Sequence, residues 1–311
     1  MRLQSSRSIK IVITVVVVGL LLFKLQPKNI LTAFAQADLY WLALTLLIGV
    51  AMVGLRWLKW HLLVRKAVGI TSPKQTFASL LGGMAVAIVT PARVGELSRV
   101  AFLKSNRRAE AGGLVVVDRF IDLIVMLIFA AAGVLVLFQD FSLLALLSLI
   151  VCFLLFTIFK LKLFLQLGKE IVPSKRIKDL LDAASTGLGR LSSFELGLNL
   201  FLTVSLTSLD VISLHTLVRS LGVDNFKAVA FVYPLIMLTN LLPITISGLG
   251  VRESTSILLF SKFAVSSAVA FNATFLSYVI NSLTPAIFGI YFFRGLKVVN
   301  AKPSENHNSS V

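Results

Sequence analysis

The sequence contains few of the residues from which disulfide frameworks and metal centres are built. Its 311 residues include one cysteine, so they cannot form an internal disulfide. The three histidines, His61, His215 and His307, lie far apart along the chain and show no metal-ligand spacing. The sequence therefore predicts neither a disulfide-stabilised fold nor a metal site.

Enzymatic motifs are also missing. The sequence contains no Walker loop, no dinucleotide-binding glycine pattern, no nucleophile elbow and no HExxH. The polar segments between its apolar runs are too short to form a separate catalytic domain. We therefore predict a protein that is not an enzyme and that uses no cofactor.

Hydrophobic residues make up 57% of the sequence and charged residues 14%. The mean hydropathy is +0.92, which predicts an integral membrane protein. A net charge of +16 would suggest nucleic-acid binding in a soluble protein, but here the basic residues cluster between long apolar runs. We therefore expect no nucleic-acid partner.

Eight apolar runs predict the membrane helices: residues 9–25, 39–58, 77–89, 113–138, 141–159, 196–217, 228–242 and 265–293. The runs 77–89 and 228–242 are shorter than the roughly 20 residues that a crossing helix needs. Each leads directly to a proline, which predicts a broken helix that re-enters the same side. The predicted fold is an all-α integral membrane protein with about six transmembrane helices and two re-entrant hairpins.

The distribution of lysine and arginine predicts the orientation. If both short segments enter and leave on one side, the two termini and residues 56–74, 93–108 and 160–190 face the cytoplasm. This arrangement places most of the 30 basic residues on the cytoplasmic side of the cell membrane. Residues 11–23 also resemble a signal-peptide core, but the small-residue motif at 35–37 is too distant to be a usual cleavage site, so we favour a retained helix.

The domain organisation follows from these segments. Residues 1–299 form the predicted membrane domain, and residues 300–311 form a polar cytoplasmic tail that we expect to be disordered. Residues 1–139 and 140–295 repeat the order helix, helix, re-entrant segment, helix, and three crossings in each half make the repeat inverted. Residues 160–190 have the spacing of an amphipathic surface helix.

The two interrupted segments share local chemistry. The first reads TPARVGE at residues 90–96, and the second has a proline followed by GLGVRE at residues 248–253. Short segments interrupted at matching positions of two halves are typical of a transporter's substrate site. The residues that we expect to shape the backbone there are Pro91, Gly95, Pro243, Gly248 and Gly250.

Arginine and glutamate follow each breakpoint. We predict that Arg93 and Arg252 bind phosphate, because a guanidinium group can donate two parallel hydrogen bonds to it. Glu96 and Glu253 would balance the charge, hold the arginines or recognise an amine on a lipid headgroup. The alternative is that each pair is an interfacial salt bridge that only anchors its hairpin.

Further acidic residues lie within the predicted spans. Asp118 and Asp122 share one helix face, with Arg119 three residues before Asp122. These groups are candidates to pair with Arg93 or Arg99, or to carry a proton or cation. Asp210 lies in the middle of the predicted span 196–217, so we expect it to be functional, with an arginine or His215 as its partner.

Three stretches carry a resemblance: GGMAVAIVTPARVGELSR at residues 82–99, DRFID at 118–122 and GLGVRE at 248–253. In these, the sequence resembles the lysylphosphatidylglycerol synthase transmembrane (flippase-like) family, which includes the membrane half of the multiple peptide resistance factor. The resemblance covers nearly the whole chain. The family commonly has Glu-Arg where this sequence has Asp118-Arg119, which is a conservative departure.

The resemblance implies movement of a lipid between leaflets. In aminoacyl-phospholipid synthases a separate soluble domain transfers the amino acid from aminoacyl-tRNA, and these residues contain no such domain. The expected substrate is an anionic or aminoacylated phospholipid, or a polyprenyl-phosphate-linked lipid, since relatives sit beside glycosyltransferases. The alternatives are a non-catalytic accessory subunit of a lipid-modifying enzyme or glycosyltransferase, and a membrane-embedded enzyme acting on lipid headgroups.

The topology predicts that reporter fusions after Lys104 and Lys262 lie on opposite sides of the membrane. A cytoplasmic reporter should be active after Lys104 and inactive after Lys262, and a periplasmic or extracellular reporter should show the reverse. Activity of the same reporter at both positions would contradict the inverted arrangement.

Overall fold

The computed structural model describes residues 37–70, 72–88, 90–105, 107–138, 150, 174–239 and 245–293. Every regular element in these ranges is helical, which confirms the all-α class. The predicted helix 9–25, most of the predicted span 141–159, residues 160–173, Pro243 and the tail 300–311 lie outside the described residues.

The first group of elements comprises α1 (Leu39–Val68), α2 (Pro73–Ala87), a 3₁₀ segment (Pro91–Phe102) and α3 (Arg108–Phe138). Helix α1 begins where the Asp38 side chain accepts a hydrogen bond from the Tyr40 N–H, and it ends at Gly69, whose φ is 78°. Proline opens both α2 and the 3₁₀ segment, where its missing N–H costs no hydrogen bond.

The second group comprises α4 (Lys175–Gly189), α5 (Ser193–Ser220), α6 (Phe226–Leu238), a 3₁₀ turn (Ile246–Gly248), α7 (Val251–Ser261), α8 (Ser267–Tyr278), a π segment (Val279–Leu283) and α9 (Thr284–Phe293). Ser192 and Glu195 form a reciprocal capping box at the start of α5. The Asn225 and Ser266 side chains cap α6 and α8.

Three helices in the described residues are long and apolar enough to cross a membrane: Leu39–Val68, Ser193–Ser220 and Ser267–Tyr291. Helices α2, α6 and α7 have 15, 13 and 11 residues. At a rise of about 1.5 Å per residue, none of these three reaches the roughly 30 Å thickness of the hydrocarbon core. These helices are short, while the re-entrant course of the hairpins, the count of six spans and the inverted repeat stay predictions.

The short hairpins pack against helices of the opposite group. Helix α2 lies against α9, where Gly289 approaches the Leu81 carbonyl, and α6 lies against α3, where Gly133 approaches the Phe231 carbonyl. Helix α1 also packs along α5, with the Thr45 and Thr216 hydroxyl groups 2.8 Å apart. The two groups therefore form one interlocked bundle rather than two separate ones.

Two parts of the predicted loops are wrong. Helix α1 continues to Val68, so Arg56 and Lys59 lie within a helix and not in a loop over residues 56–74. Arg99, which was predicted to lie in the loop 93–108, is 1% exposed within the 3₁₀ segment. A hydropathy profile treats each charged residue as solvent-exposed. In the structure Lys59 and Arg99 are buried and Arg56 is half-buried, and each lies beside a carboxylate.

Helix α4 forms part of the amphipathic stretch predicted over residues 160–190, of which residues 160–173 lie outside the described residues. Its apolar face packs on α3, and Ala184 and Leu188 are fully buried there. The close approach depends on Gly113, because a Cβ at this position would overlap the backbone at residues 183 and 184.

Replacing this glycine should separate α3 from α4. We expect Gly113→Val to lower the free energy of unfolding by about 1–3 kcal/mol, the cost of overpacking a close contact. The measurement is thermal unfolding of the purified protein in detergent. Gly197→Val is the matched control, because Gly197 is an exposed helical glycine whose Cβ would meet no atom within 4 Å. Equal melting temperatures for the two variants would contradict the close packing.

Candidate functional site

A cavity of about 540 Å³ lies where the two hairpins meet the long helices. Six cationic side chains line it: Arg56, Lys59, Arg93, Arg99, Arg119 and Arg252. Four carboxylates line it as well: Glu96, Asp118, Asp122 and Asp210. The rest of its wall is largely apolar, so charged and apolar side chains line the same cavity.

The tip of the first hairpin is fixed by Thr90 and Gly95. The Thr90 hydroxyl accepts a hydrogen bond from the Gly95 N–H at 2.8 Å and donates one to the Ala87 carbonyl at 3.1 Å. A Cβ on Gly95 would lie 2.6 Å from the Thr90 hydroxyl and from the Val86 carbonyl, so only glycine fits. Arg93 has a φ of 56°, a left-handed conformation that is strained for a residue with a Cβ.

The 3₁₀ segment stacks three charged side chains. Arg93, Glu96 and Arg99 are three residues apart, and residues at this spacing eclipse one another along a 3₁₀ helix. Glu96 lies 3.4 Å from Arg93, 2.5 Å from Arg99 and 3.1 Å from Arg119. The Arg99 guanidinium also lies over the Trp60 ring, 5.0 Å from its centroid. One buried carboxylate thus holds three guanidinium groups.

The tip of the second hairpin is a tight turn into α7. Ser247, Gly248 and Gly250 have φ values of 54°, 73° and 85°, so the backbone follows a left-handed path. The two glycines adopt it without strain, whereas Ser247, like Arg93, is strained there. The Glu253 carboxylate accepts a hydrogen bond from the Gly250 N–H at 2.6 Å. This bond satisfies one free donor at the start of α7 and places Arg252 in its first turn.

Arg252 is held from two sides. Its guanidinium group donates to Glu253 at 2.7 Å and lies 4.7 Å from the centroid of the Tyr278 ring. The Arg252 Nε is buried and has no hydrogen-bond partner within the described residues. The turn before α7 contacts the 3₁₀ segment, so both hairpin tips meet at the cavity. Glu253 is 1% exposed and lies behind Arg252, outside the lining.

Helices α1 and α3 contribute a buried group of opposite charges. Lys59 Nζ lies 2.8 Å from Asp118 and 2.5 Å from Asp122, which stand one turn apart on α3. Arg119 lies 3.2 Å from Asp122, as its spacing predicts. Arg99 reaches Asp118 at 3.6 Å, so this group is continuous with the 3₁₀ segment. Lys59 and Asp118 are each 3% exposed and would be costly if unpaired.

Arg56 connects all three candidate spans. It lies on α1, and its guanidinium group donates to Asp210 on α5 at 3.2 Å. It also donates to the backbone carbonyl of Asn281 in the π segment at 3.2 Å. Pro285 has no N–H to donate to that carbonyl one turn earlier in the helix, so Arg56 supplies the missing donor.

The structure brings most of the sequence-predicted residues to one place. Seven line the cavity: Arg93, Glu96, Asp118, Arg119, Asp122, Asp210 and Arg252. The predicted backbone-shaping residues Pro91, Gly95, Gly248 and Gly250 lie at the two tips, and Pro243 lies outside the described residues. His215 is not the partner of Asp210, because its ring lies 3.5 Å from Asp224 instead.

Sequence reasoning missed several lining residues, among them Arg56, Lys59, Tyr233 and Tyr278. Arg56 and Lys59 are three residues apart and therefore share a helix face, which is the one signal that was available for them. The two tyrosines carry no sequence pattern that distinguishes them from packing residues. Tyr233 interacts with Asp210, and Tyr278 supports Arg252.

Removing the connection made by Arg56 should destabilise the bundle. We expect Arg56→Ala to lower the free energy of unfolding by about 1.5–3 kcal/mol, because a carboxylate and a carbonyl lose a charged donor. Arg65→Ala is the matched control on the same helix, since Arg65 is exposed and surface changes cost less than about 0.5 kcal/mol. Denaturation of the wild type, Arg56→Ala, Asp210→Asn and the double variant gives the coupling free energy between the two residues. Additive effects in that cycle would contradict the pairing.

Comparison with protein families gives one finding that covers most of the chain. Residues 7–289 match the model of the family described as Lysylphosphatidylglycerol synthase TM region. This match includes both hairpin tips and every lining residue of the cavity. A search of curated proteins found no match. This match confirms the resemblance drawn from the three motifs, and the chain belongs to this family. The protein is therefore a membrane protein related to lipid handling.

Proposed function

We propose that this protein moves a phosphate-bearing lipid between the two leaflets of the cell membrane. The supporting observation is the cavity in which six cations and four carboxylates meet an apolar wall at the junction of two short hairpins. Charged side chains are expensive at membrane depth and usually mark a substrate path. The proposed substrates are an anionic or aminoacylated phospholipid and a polyprenyl-phosphate-linked lipid.

Arg93 and Arg252 are the proposed phosphate-binding residues. They come from different hairpins, and both line the same cavity. Arg93 has one weak carboxylate contact and a side chain that is 35% exposed. Arg252 lies in the first turn of α7, where the free backbone N–H groups of the helix start also favour an anion. A phosphate between these two residues would receive donors from both hairpins.

The apolar part of the cavity suits hydrocarbon chains. Val94 and Leu97 lie in the 3₁₀ segment and are 59% and 36% exposed, although both are apolar. They line the cavity together with the apolar side chains of α3 and α5. A headgroup held by the arginines would leave its chains along this surface, so the lipid would not have to leave hydrocarbon.

Alternating access provides the proposed movement. Each group of elements has a long helix, a hairpin with short limbs and a further long helix. We infer that the two groups are inverted repeats within a six-span topology and that each hairpin faces one leaflet. Rocking of one repeat against the other would expose the shared cavity to each leaflet in turn. The lipid itself undergoes no chemical change in this role.

Loss of either arginine should slow leaflet exchange. We expect Arg93→Ala and Arg252→Ala each to reduce exchange roughly 10- to 100-fold, since a hydrogen bond to a charged group contributes about 1.5–3 kcal/mol. Arg252→Lys should restore little activity, because lysine cannot present a planar pair of donors. The measurement is dithionite quenching of tail-labelled fluorescent phosphatidylglycerol in proteoliposomes. Thermal unfolding in detergent checks that each variant is folded.

Arg65→Ala is the control in this assay, because it removes an exposed arginine of α1 outside the cavity. Wild-type exchange rates in both Arg93→Ala and Arg252→Ala would overturn the site. An accessory subunit would show no exchange alone and would purify with an enzyme. A headgroup enzyme would change the mass of the recovered lipid.

A further inference from the structure

We infer that the cavity is selective for lipids whose headgroup carries net negative charge and discriminates against headgroups that carry ammonium groups. This inference rests on the proposed function, because it names the substrate class of the same site. It divides the proposed substrates: unmodified anionic phospholipids and polyprenyl phosphates are accepted, and aminoacylated lipids are not. Three features of the cavity support it.

The first feature is the charge balance of the lining. Among the described residues the cavity has six cations and four carboxylates. Glu253 lies behind Arg252 and compensates one cation from outside the wall. A net positive charge remains beside a largely apolar wall, where an uncompensated charge is unfavourable. An entering anion reduces this charge, whereas an entering cation increases it.

The second feature is that the carboxylates are already engaged. Glu96 is held by three guanidinium groups. Asp118 lies within 3.6 Å of a lysine and two arginines. Asp122 is paired with a lysine and an arginine, and Asp210 with an arginine. An incoming ammonium group must therefore displace a built-in cation from its carboxylate, which removes the gain of binding it.

The third feature is a pair of hydrogen-bond donors without partners. The Nε atoms of Arg99 and Arg252 are buried and have no hydrogen-bond partner within the described residues. Arg93 contributes a guanidinium group whose carboxylate contact is 3.4 Å long. A buried donor without a partner is unfavourable until an acceptor arrives. Phosphate oxygens are acceptors only, and they match these two donors. An ammonium group adds further donors, for which the lining offers one unpartnered amide oxygen, Asn281 Oδ1.

Aminoacylation changes the net charge of the headgroup from negative to positive, which is the direction that the cavity disfavours. Phosphatidylglycerol carries one negative charge on its phosphate. Esterification with lysine adds two ammonium groups and makes the lipid net positive. The phosphate is still present in the product, so the two lipids differ in net charge and in donors rather than in the group that the arginines bind. The cavity would thus separate a lipid from its own aminoacylated form.

Native mass spectrometry of the detergent-solubilised wild-type protein tests this inference. The probes are phosphatidylglycerol, phosphatidylethanolamine and lysylphosphatidylglycerol with identical acyl chains, added in equal amounts. We expect at least tenfold more bound phosphatidylglycerol than lysylphosphatidylglycerol, with phosphatidylethanolamine between them. Equal binding, preferential binding of the lysyl lipid, or no binding of any of the three would overturn the inference. Inorganic phosphate forms a further arm, and displacement of phosphatidylglycerol by millimolar phosphate would overturn the assignment to a lipid.

Arg93→Glu tests the cause of the selectivity, because it removes a donor and introduces an unpaired acceptor. We expect it to lower the ratio of bound phosphatidylglycerol to bound lysylphosphatidylglycerol at least tenfold. Arg65→Glu, the matched control, should leave the ratio unchanged. If Arg93→Glu does not fold, Arg93→Gln should lower the ratio in the same direction. An unchanged ratio in the folded variant would overturn the explanation that charge in the cavity causes the selectivity.

Leaflet exchange of the same lipids in proteoliposomes separates this inference from the proposed function. Selective binding of phosphatidylglycerol without any exchange would support the charge selectivity and overturn the proposed transport. Exchange of phosphatidylglycerol and lysylphosphatidylglycerol at equal rates would support transport and overturn the selectivity. Faster exchange of phosphatidylglycerol by tenfold or more supports both.

Discussion

Charge compensation among apolar helices is the constraint on which this structure depends. A lysine or arginine surrounded by hydrocarbon needs a carboxylate within a few ångströms, and that carboxylate needs a cation in return. Lys59 satisfies this need with Asp118 and Asp122, and Arg56 does so with Asp210. Because the partners lie on different helices, each pair also fixes how those helices sit together. The polar cluster is therefore both the interior framework of the bundle and the lining of its cavity.

The hairpins satisfy a second constraint, which concerns the backbone. Irregular chain inside a membrane protein must find hydrogen-bond partners within the protein, because hydrocarbon offers none. The Thr90 hydroxyl and the Glu253 carboxylate meet this requirement at the two tips by accepting from the N–H groups of Gly95 and Gly250. The same bonds position the charged residues that follow. Breaking the helices thus creates places where charged groups can face a shared interior space, which intact helices would not provide.

Local sequence features predicted many of the residues in the site. A proline, glycine and an arginine with glutamate after a short apolar run were enough to locate both tips, because these residue types act on the backbone immediately beside them. The same reasoning failed for Arg56 and Lys59, which a hydropathy profile places at the polar end of a span. Their role depends on carboxylates elsewhere in the chain: Arg56 and Asp210 are 154 positions apart. Spacing along one helix cannot reveal such a partner.

Composition and periodicity by themselves determined that this chain is an all-helical membrane protein, that two of its apolar segments are short, and which residues follow their breaks. These are local properties, since they depend on the length of an apolar run and on the backbone preferences of proline and glycine. Only the tertiary structure decided that both tips meet in one cavity, that Glu96 is shared by three arginines, and that Glu253 lies behind Arg252. Those outcomes depend on packing between distant helices, where buried charges must find partners in three dimensions.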